Sequence, residues 1–329
     1  MKKIIIDCDP GIDDCLALML ALSSPELEIL GITTISGNIE VHTATENVFQ
    51  VLRLMEREDI PVYKGASVPL FRPYHDATDT HGADGIGENF FPKTGLAAKE
   101  EHAVDFILDA ISRHPHEITL VALGPLTNIA LALRKDPSTM AKVKDFILMG
   151  GADKFHGNCS PVAEYNFWVD PEAADEVFRS EFAKATMVGL DVTHSIILSP
   201  NLREVANQIG GEKGRFLHDI TRFYVDFHWK QERTLGCVIN DPLVIAMLLD
   251  ENLVECDPAF VEVETEGIAA AQSVCDLNGR LHDGRTNAQV AHKVNAKGFF
   301  ELFFNRLFPG CEADITLSLN REFDRCGGK

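Results

Sequence analysis

Four aspartates lie within eight residues near the start of the chain, in the segment DCDPGIDD, and they are Asp7, Asp9, Asp13 and Asp14. Carboxylates this close repel one another and cost stability unless a positive charge lies among them. Uninterrupted apolar runs stand on both sides of the segment, so we expect the cluster at the edge of a buried core. The sequence therefore indicates a cation that the neighbouring side chains do not provide.

Two alternatives use only part of this cluster. A D-x-D-x-G pattern opens the calcium loop of an EF-hand, but the twelfth position from Asp7 is Leu18, where that loop needs a glutamate, so this alternative fails. A phosphatase of the haloacid dehalogenase type has a nucleophilic aspartate in a D-x-D at the end of its first strand. Asp7 and Asp9 meet that spacing, so a Mg²⁺-dependent phosphatase with Asp7 as nucleophile remains open, although it leaves Asp13 and Asp14 unexplained.

A divalent-metal site accounts for the later aspartates as well. The Pro-Gly pair in the segment predicts a tight turn, which lets a helix begin near Ile12 and puts Asp13 and Asp14 in its first turn, where the helix dipole favours carboxylates. From there they face Asp9. Carboxylates that converge with a backbone carbonyl form an all-oxygen site suited to Ca²⁺ or Mg²⁺. A helix cap alone would need only one aspartate, so the metal site is favoured.

The elements that must position these residues are short β-branched runs alternating with helical patterns. This alternation predicts an α/β protein with a mostly parallel, Rossmann-like central sheet flanked by helices. AFVEVETEG, AAAQSVCDL and AQVAHKV predict late antiparallel strands, ATMVGLDVT predicts one more strand, and KGFFELFFNRLF predicts the last helix. No linker or composition shift interrupts the pattern, so we expect a single domain, residues 1–329.

Polar clusters follow several of the predicted strands. Gly37-Asn38 come after EILGITTIS, GPLTN follows EITLVAL, and GNCSPVAEYN follows FILMGG. Ligands of parallel sheets bind beyond the carboxyl ends of the strands. The sequence therefore predicts a binding site at that edge of the sheet.

The composition limits the partners. Lys and Arg number 30 against 50 Asp and Glu, a formal net charge of -20, which argues against nucleic acid or an anionic membrane surface as the main partner. No stretch approaches the roughly 20 apolar residues of a membrane span. The 8 cysteines are scattered without a C-x-x-C pair, which indicates reduced thiols and a cytoplasmic protein.

The motifs from residue 4 to about residue 245 resemble those of the nucleoside hydrolases, the inosine/uridine-preferring N-ribohydrolases. DCDPGIDD resembles their N-terminal signature, and TTISGN, HGADG, VALGPLTNIA, LMGG, GNCSPVAEYNFWVDPEAA, GLDVT and NDP follow in matching order. The resemblance implies Ca²⁺-dependent hydrolysis of ribonucleosides to ribose and free base, in nucleoside salvage, by a homodimer or homotetramer.

The resemblance also implies roles for individual residues. Asp9, Asp14, the carbonyl of Leu123 and Asp241 would bind Ca²⁺, and Asp9 would be the general base for a water on the metal. Asp7 would support the loop from behind. Breaking the bond builds positive charge on the sugar, as in glycoside hydrolysis, and carboxylates stabilise that charge. The residues implied to hold the ribose hydroxyls are Asp13, Asn38, Asn158, Glu164, Asn166 and Asp241.

Glu164 and Asn166 stand at i and i+2, and in an extended segment this spacing puts both side chains on one side, where they could hold a diol. The adjacent Phe167 and Trp168 are expected in the core. His81, between glycines, resembles a substrate-contacting position on a loop that closes over the substrate. The alternative, a surface-loop histidine, is equally open.

The chain departs from the family pattern at Asn240. Purine-accepting members carry a histidine there as the acid for the departing base, and an asparagine can donate a hydrogen bond but cannot supply a proton. His228, at i+4 from Tyr224 on a predicted helix, could be the replacement donor, or the true leaving group needs no acid. Loss of the acid also leaves open a non-catalytic nucleoside- or ribose-binding protein.

Overall fold

The computed structural model describes residues 1–180, 182 and 185–324. Its strands are β1 (Lys2–Cys8), β2 (Leu27–Thr34), β3 (Val62–Lys64), β4 (Ile118–Ala122), β5 (Asp145–Met149), β6 (Ala185–Val188), β7 (Ile197–Leu198), β8 (Cys237–Val238), β9 (Val254–Val263), β10 (Ser273–Asp276) and β11 (Ala288–Val294). Its helices are α1 (Ile12–Leu22), α2 (Val41–Leu54), α3 (Thr78–His81), α4 (Ala103–Arg113), α5 (Thr127–Lys135), α6 (Pro137–Met140), α7 (Tyr165–Val169), α8 (Pro171–Ser180), α9 (Leu190–Thr193), α10 (Pro200–Ile209), α11 (Gly211–Glu232), α12 (Pro242–Leu249), α13 (Ala296–Leu307) and α14 (Glu312–Phe323).

Nine strands form one sheet in the order β10-β9-β11-β6-β5-β4-β1-β2-β3. From β11 to β3 every neighbouring pair is parallel, and β9 pairs antiparallel with both β10 and β11. The predicted mostly parallel sheet with late antiparallel strands is therefore confirmed. A separate pair, β7 and β8, is antiparallel. The extent of the single domain, residues 1–329, stays a prediction.

The core lies on both faces of this sheet. In β1 the side chains alternate, so Ile4 and Ile6 belong to one apolar cluster and Ile5 to the other. All three are fully buried. A strand that is apolar on both faces is what a central parallel strand between two helical layers requires, and it fixes the loop after β1 at the middle of the sheet edge.

Several predicted elements differ from the structure. The segment ATMVGLDVT is a strand only to Val188, because Gly189 turns the chain into the short helix α9. The helix of KGFFELFFNRLF is not the last one, since α14 follows it among the described residues. Asp170 caps the helix that begins at Pro171, because its carboxylate accepts the backbone N–H of Ala173 at 3.1 Å.

Among the described helices, none is long and apolar enough to cross a membrane. The seven cysteines within the described ranges are free thiols with no disulfide among them. The eighth, Cys326, lies outside those ranges.

Candidate active site

A cavity of about 510 Å³ lies beyond the carboxyl ends of the central strands. Its lining contains carboxylates, amides and imidazoles but no lysine or arginine from the described part of the chain. The residues predicted from the sequence that line it are Leu123 and Asp13, Asn38, His81, Asn158, Glu164, Asn166, His228, Asn240 and Asp241.

The turn after β1 holds the aspartate cluster. α1 begins at Ile12, so Asp13 and Asp14 lie in its first turn as predicted. The Asp14 carboxylate accepts backbone N–H groups from Asp9 at 3.3 Å and Gly11 at 3.0 Å. It also accepts the side-chain amide of Asn38 at 3.1 Å, which joins the turn to the end of β2. Asp14 is therefore fixed by three donors.

Asp9 is fully buried, and only one of its two carboxylate oxygens has a hydrogen-bond partner among the described residues. Its Oδ2 accepts the backbone N–H of Asn38 at 2.6 Å, while its Oδ1 has no hydrogen-bond partner among the described residues. Gly37 and Gly124 pack against this carboxylate so closely that a Cβ at either position would overlap it. A buried carboxylate oxygen without a partner is costly, and this oxygen fits a site that holds a cation or a proton.

Three carboxylates can converge on one ion. Oxygens of Asp13, Asp14 and Asp241 lie within 4.8 Å of one another, and all three residues are buried. Asp9 is outside this group, whereas Asp13, which the resemblance assigned to the sugar, is inside it. The Leu123 carbonyl accepts the Asn166 amide at 2.8 Å, and Leu123 lines the same cavity, so the second lone pair of this carbonyl is available to a ligand.

The electrostatics of this cluster follow from burial without a counter-charge. Burial, and after it the charge of Asp13, raises the pKa of Asp14 to about 7. Burial, and then the charges of Asp13, Asp14 and Asp9, raises the pKa of Asp241 well above its usual value. Burial and the charge of Asp14 likewise raise the pKa of Asp9. Oxygen donors that repel one another and lack a cationic partner fit a divalent metal ion.

Neither Asp9 nor Asp14 is among the residues that line the cavity, and Asp7 does not line it either. Asp7 is fully buried beneath the turn, where one carboxylate oxygen accepts the Thr33 hydroxyl and, at 2.8 Å, the Asn128 amide. Burial raises its pKa to about 7. This position behind the turn argues against a nucleophilic role for Asp7.

Glu164 and Asn166 meet the cavity from a helix and not from the extended segment that was expected. Glu164 is the N-cap of α7, and its carboxylate accepts backbone N–H groups from Gly151, Asn166 and Phe167 at 3.0, 2.8 and 3.2 Å. Both side chains still line the cavity, because the N-cap residue and the residue in the first turn of α7 lie on the same side of the helix. Burial raises the pKa of Glu164 to about 7.

Asn240 is hydrogen-bonded to Asp13 through both its side chain and its backbone. Its side-chain Nδ2 donates to Asp13 Oδ2 at 2.9 Å, and the same oxygen accepts the Asn240 backbone N–H at 3.2 Å and the Tyr224 hydroxyl at 3.3 Å. Its Oδ1 is buried without a partner among the described residues. Asn240 therefore positions Asp13 more directly than it could serve a ligand as a donor.

The two predicted histidines are buried and fixed in opposite tautomers. His81 Nδ1 accepts the backbone N–H of Ile12 at 3.0 Å, so the neutral ring carries its proton on Nε2. His228 Nδ1 lies 2.9 Å from the Tyr224 carbonyl and must donate to it, so the neutral ring keeps a lone pair on Nε2. Burial lowers the pKa of both rings. The alternative of a surface histidine at position 81 is wrong, since His81 is 4% exposed.

Sequence reasoning missed part of the cavity wall. Trp168, expected in the core, is only partly buried and lines the cavity, whereas Phe167 is fully buried as expected. His194 and Glu232 also line it and contact each other at 3.3 Å. The only sequence signal for Glu232 was its position one helical turn after His228.

Comparisons with known proteins show what this chain is similar to. The family model for inosine-uridine preferring nucleoside hydrolase matches residues 4–301. The chain is 38% identical to uridine nucleosidase 1 of Arabidopsis thaliana over 91% of each chain, and 39% identical to the inosine-uridine preferring nucleoside hydrolase of Leishmania major over 93% of this chain and 97% of that one. The solved purine-preferring ribonucleoside hydrolase from Gardnerella vaginalis superposes with a TM-score of 0.89 at 35% identity, covering 95% of this chain and 100% of that one.

Proposed function

The chain belongs to the inosine-uridine preferring nucleoside hydrolase family, and we propose that it uses water to cleave the N-glycosidic bond of ribonucleosides, releasing ribose and a free base. It is an enzyme of the N-glycosyl hydrolase class. The observation that carries the proposal is the cavity that ends on buried carboxylates and amides with no lysine or arginine in its described lining. Such a surface stabilises a sugar that becomes positively charged as the bond breaks.

The ribose would bind at the end of the cavity formed by the strand edge. Carboxylates and amides there present acceptors and donors in the alternation that sugar hydroxyls need. Their fixed hydrogen bonds to backbone groups, such as those of Glu164, keep them oriented before substrate arrives. The residues assigned to the ribose hydroxyls are Asp13, Asn38, Asn158, Glu164, Asn166 and Asp241.

Asp9, Asp14, Asp241 and the Leu123 carbonyl would hold a Ca²⁺ ion. The donor set is entirely oxygen, which suits a hard cation, and the unpartnered Oδ1 of Asp9 supports the assignment. When bound, the cation would lower the pKa of a water molecule and hold the sugar diol. Because Asp13 lies with Asp14 and Asp241, it could contribute to the same ion.

Asp9 is the proposed general base. Its free Oδ1 can accept the proton of the attacking water, while the Asn38 backbone N–H holds the other oxygen in place. Asp7 would support this turn through Thr33 and Asn128 and take no part in proton transfer.

The leaving base needs a donor other than Asn240, whose amide is bound to Asp13. His81 carries a proton on Nε2 even when neutral, so it can contact the substrate as a hydrogen-bond donor. His228 can supply a proton only as an imidazolium, because its Nδ1–H is held by the Tyr224 carbonyl. Burial lowers the pKa of His228, while the Glu232 and Asp13 charges oppose that shift. The proposal keeps His228 as the acid for bases that require one.

In the cell, the reaction would serve nucleoside salvage in the cytoplasm, and the active form would be a homodimer or homotetramer. These assignments rest on the family resemblance. Gel filtration with light scattering tests the assembly directly.

The first experiment compares two bond types. Purified protein is incubated with p-nitrophenyl riboside and with p-nitrophenyl phosphate, once with added Ca²⁺ and once with added Mg²⁺. Cleavage of the riboside alone supports the proposal, and cleavage of the phosphate alone supports the phosphatase alternative. Tight nucleoside binding without cleavage of either compound supports the non-catalytic alternative.

A further inference from the structure

The far part of the cavity is formed by one helix and one neighbouring residue. Phe227, His228, Gln231 and Glu232 come from the end of α11, and His194 follows α9. We call these five residues the base end. The ribose assignment does not use them.

The spacing of residues along helix α11 indicates which of them a bound nucleobase can reach. The Tyr224 hydroxyl contacts Asp13 at the sugar side of the cavity. His228 and Glu232 follow at i+4 and i+8, so both lie on the same face of the helix. At about 1.5 Å per residue, Glu232 stands roughly 12 Å along the axis from Tyr224. A base that extends from the sugar along this face of α11 meets His228 first and Glu232 second, so a two-ring base is the one that reaches Glu232.

The base end presents mainly hydrogen-bond acceptors. Glu232 Oε1 lies 3.3 Å from His194 Nε2, and a carboxylate requires the ring nitrogen to donate. In the neutral ring His194 Nδ1 then carries a lone pair, and it is buried without a partner among the described residues. A base whose outer edge presents N–H donors complements this set.

Glu232 is held at the end of α11 by its contact with His194. It is the last residue of α11, where the partial negative charge of the helix end opposes a carboxylate. The hydrogen bond from His194 lowers the pKa of Glu232, so the side chain is anionic at neutral pH. An anionic carboxylate in the cavity wall can accept hydrogen bonds from the N–H groups of a ligand.

We propose that Glu232 is the specificity-determining residue of the base end and that it selects guanosine-type nucleosides, whose base presents two adjacent N–H donors on one edge. This inference rests on the proposed hydrolysis of ribonucleosides. A carboxylate has about four acceptor positions, so Glu232 can accept both donors while it keeps the His194 hydrogen bond. Hypoxanthine offers only one of these donors. Adenine places a lone pair where guanine has its ring N–H, and a site built for donors discriminates against that arrangement.

The test compares substrates that differ only at this edge. kcat/KM is measured for guanosine, inosine, adenosine and p-nitrophenyl riboside with the wild type and with Glu232→Gln. The wild type should prefer guanosine to inosine by about tenfold, the usual effect of a hydrogen bond to a charged group. Glu232→Gln should reduce that ratio to near one and leave the riboside, which has no such donors, within about twofold.

Glu204→Gln is the matched control, because Glu204 also pairs with a histidine, His218 at 3.9 Å, but lies outside the cavity. It should change no substrate ratio. A guanosine-to-inosine ratio that is unchanged by Glu232→Gln overturns the inference, and so does an equal fall for every substrate, which would mean a structural role. Absence of riboside cleavage by the wild type would instead overturn the proposed function, and the inference with it.

Discussion

Glu164→Gln separates the two roles of this side chain, as a helix cap and as part of the charged sugar site. The Glu164 Oε2 accepts the N–H groups of Gly151 and Phe167, and Oε1 accepts that of Asn166. A glutamine keeps the shape but has only one acceptor oxygen. Its more favourable orientation keeps the two bonds to Gly151 and Phe167 and loses the bond to Asn166, at a cost of about 1 kcal/mol.

The ionisation of Glu164 has a greater effect on stability than the lost hydrogen bond. Burial raises its pKa from 4.5 to about 7 on folding. A group with a raised folded pKa contributes stability that is full below its unfolded pKa and is lost as pH rises through its folded pKa. For Glu164 this amounts to roughly 3 kcal/mol. Glutamine does not titrate, so the variant should be about 1 kcal/mol less stable than the wild type near pH 4 and about 2 kcal/mol more stable near pH 8.

Urea unfolding of both proteins across this pH range measures the difference, and turnover of p-nitrophenyl riboside measures the effect on chemistry. The neutral amide should lower turnover by about 100-fold, because it no longer stabilises positive charge on the sugar. Asp170→Asn is the control, since Asp170 also accepts backbone and hydroxyl donors but does not line the cavity. It should leave turnover of folded protein near the wild-type level.

Two results would refute this reasoning about Glu164. A stability difference that does not move toward the glutamine variant as pH rises would show that burial does not raise the pKa of this carboxyl. Turnover reduced equally in Glu164→Gln and Asp170→Asn would show that the loss comes from the fold and not from the missing charge.

Three further predictions concern the metal site, the general base Asp9 and the acid His228. Ca²⁺ should raise the thermal midpoint of the wild type but not of Asp14→Asn, measured by scanning calorimetry, and an equal shift in both would remove Asp14 from the ligand set. Asp9→Asn should lower riboside turnover by roughly 10²–10⁴-fold with the fold retained by circular dichroism, and near-normal turnover would exclude Asp9 as base. His228→Ala should reduce inosine cleavage far more than riboside cleavage, whose leaving group needs no acid, and equal losses would exclude its role as acid.

The sequence predicted the part of the fold that depends on local patterns. The run of three isoleucines in β1, the turn after it and the helix start at Ile12 all follow from neighbouring residues. So does the order of strands and helices that brings Asn38 and Asp241 to the same sheet edge as the aspartate cluster. Asn38 could be selected from the sequence because it follows a predicted strand, and Asp241 because the family resemblance assigns it to the metal and the ribose.

The remaining features depend on contacts that no local pattern contains. Glu164 and Asn166 were expected in an extended segment, but three backbone donors, one of them from distant Gly151, make Glu164 a helix cap. The pairing of His194 with Glu232 joins residues 38 positions apart. The bond from Asn240 to Asp13 spans 227 positions and decides what that asparagine can donate.

The most direct test of the account is the stoichiometry of products in phosphate-free buffer with Ca²⁺, using inosine, adenosine, guanosine, uridine and cytidine. Free base is measured by chromatography, and ribose is measured as reducing sugar. We predict equimolar base and ribose from at least one nucleoside, since water is the proposed attacking group. No release of base from any of them, or release only when phosphate is added, would contradict the proposed hydrolysis.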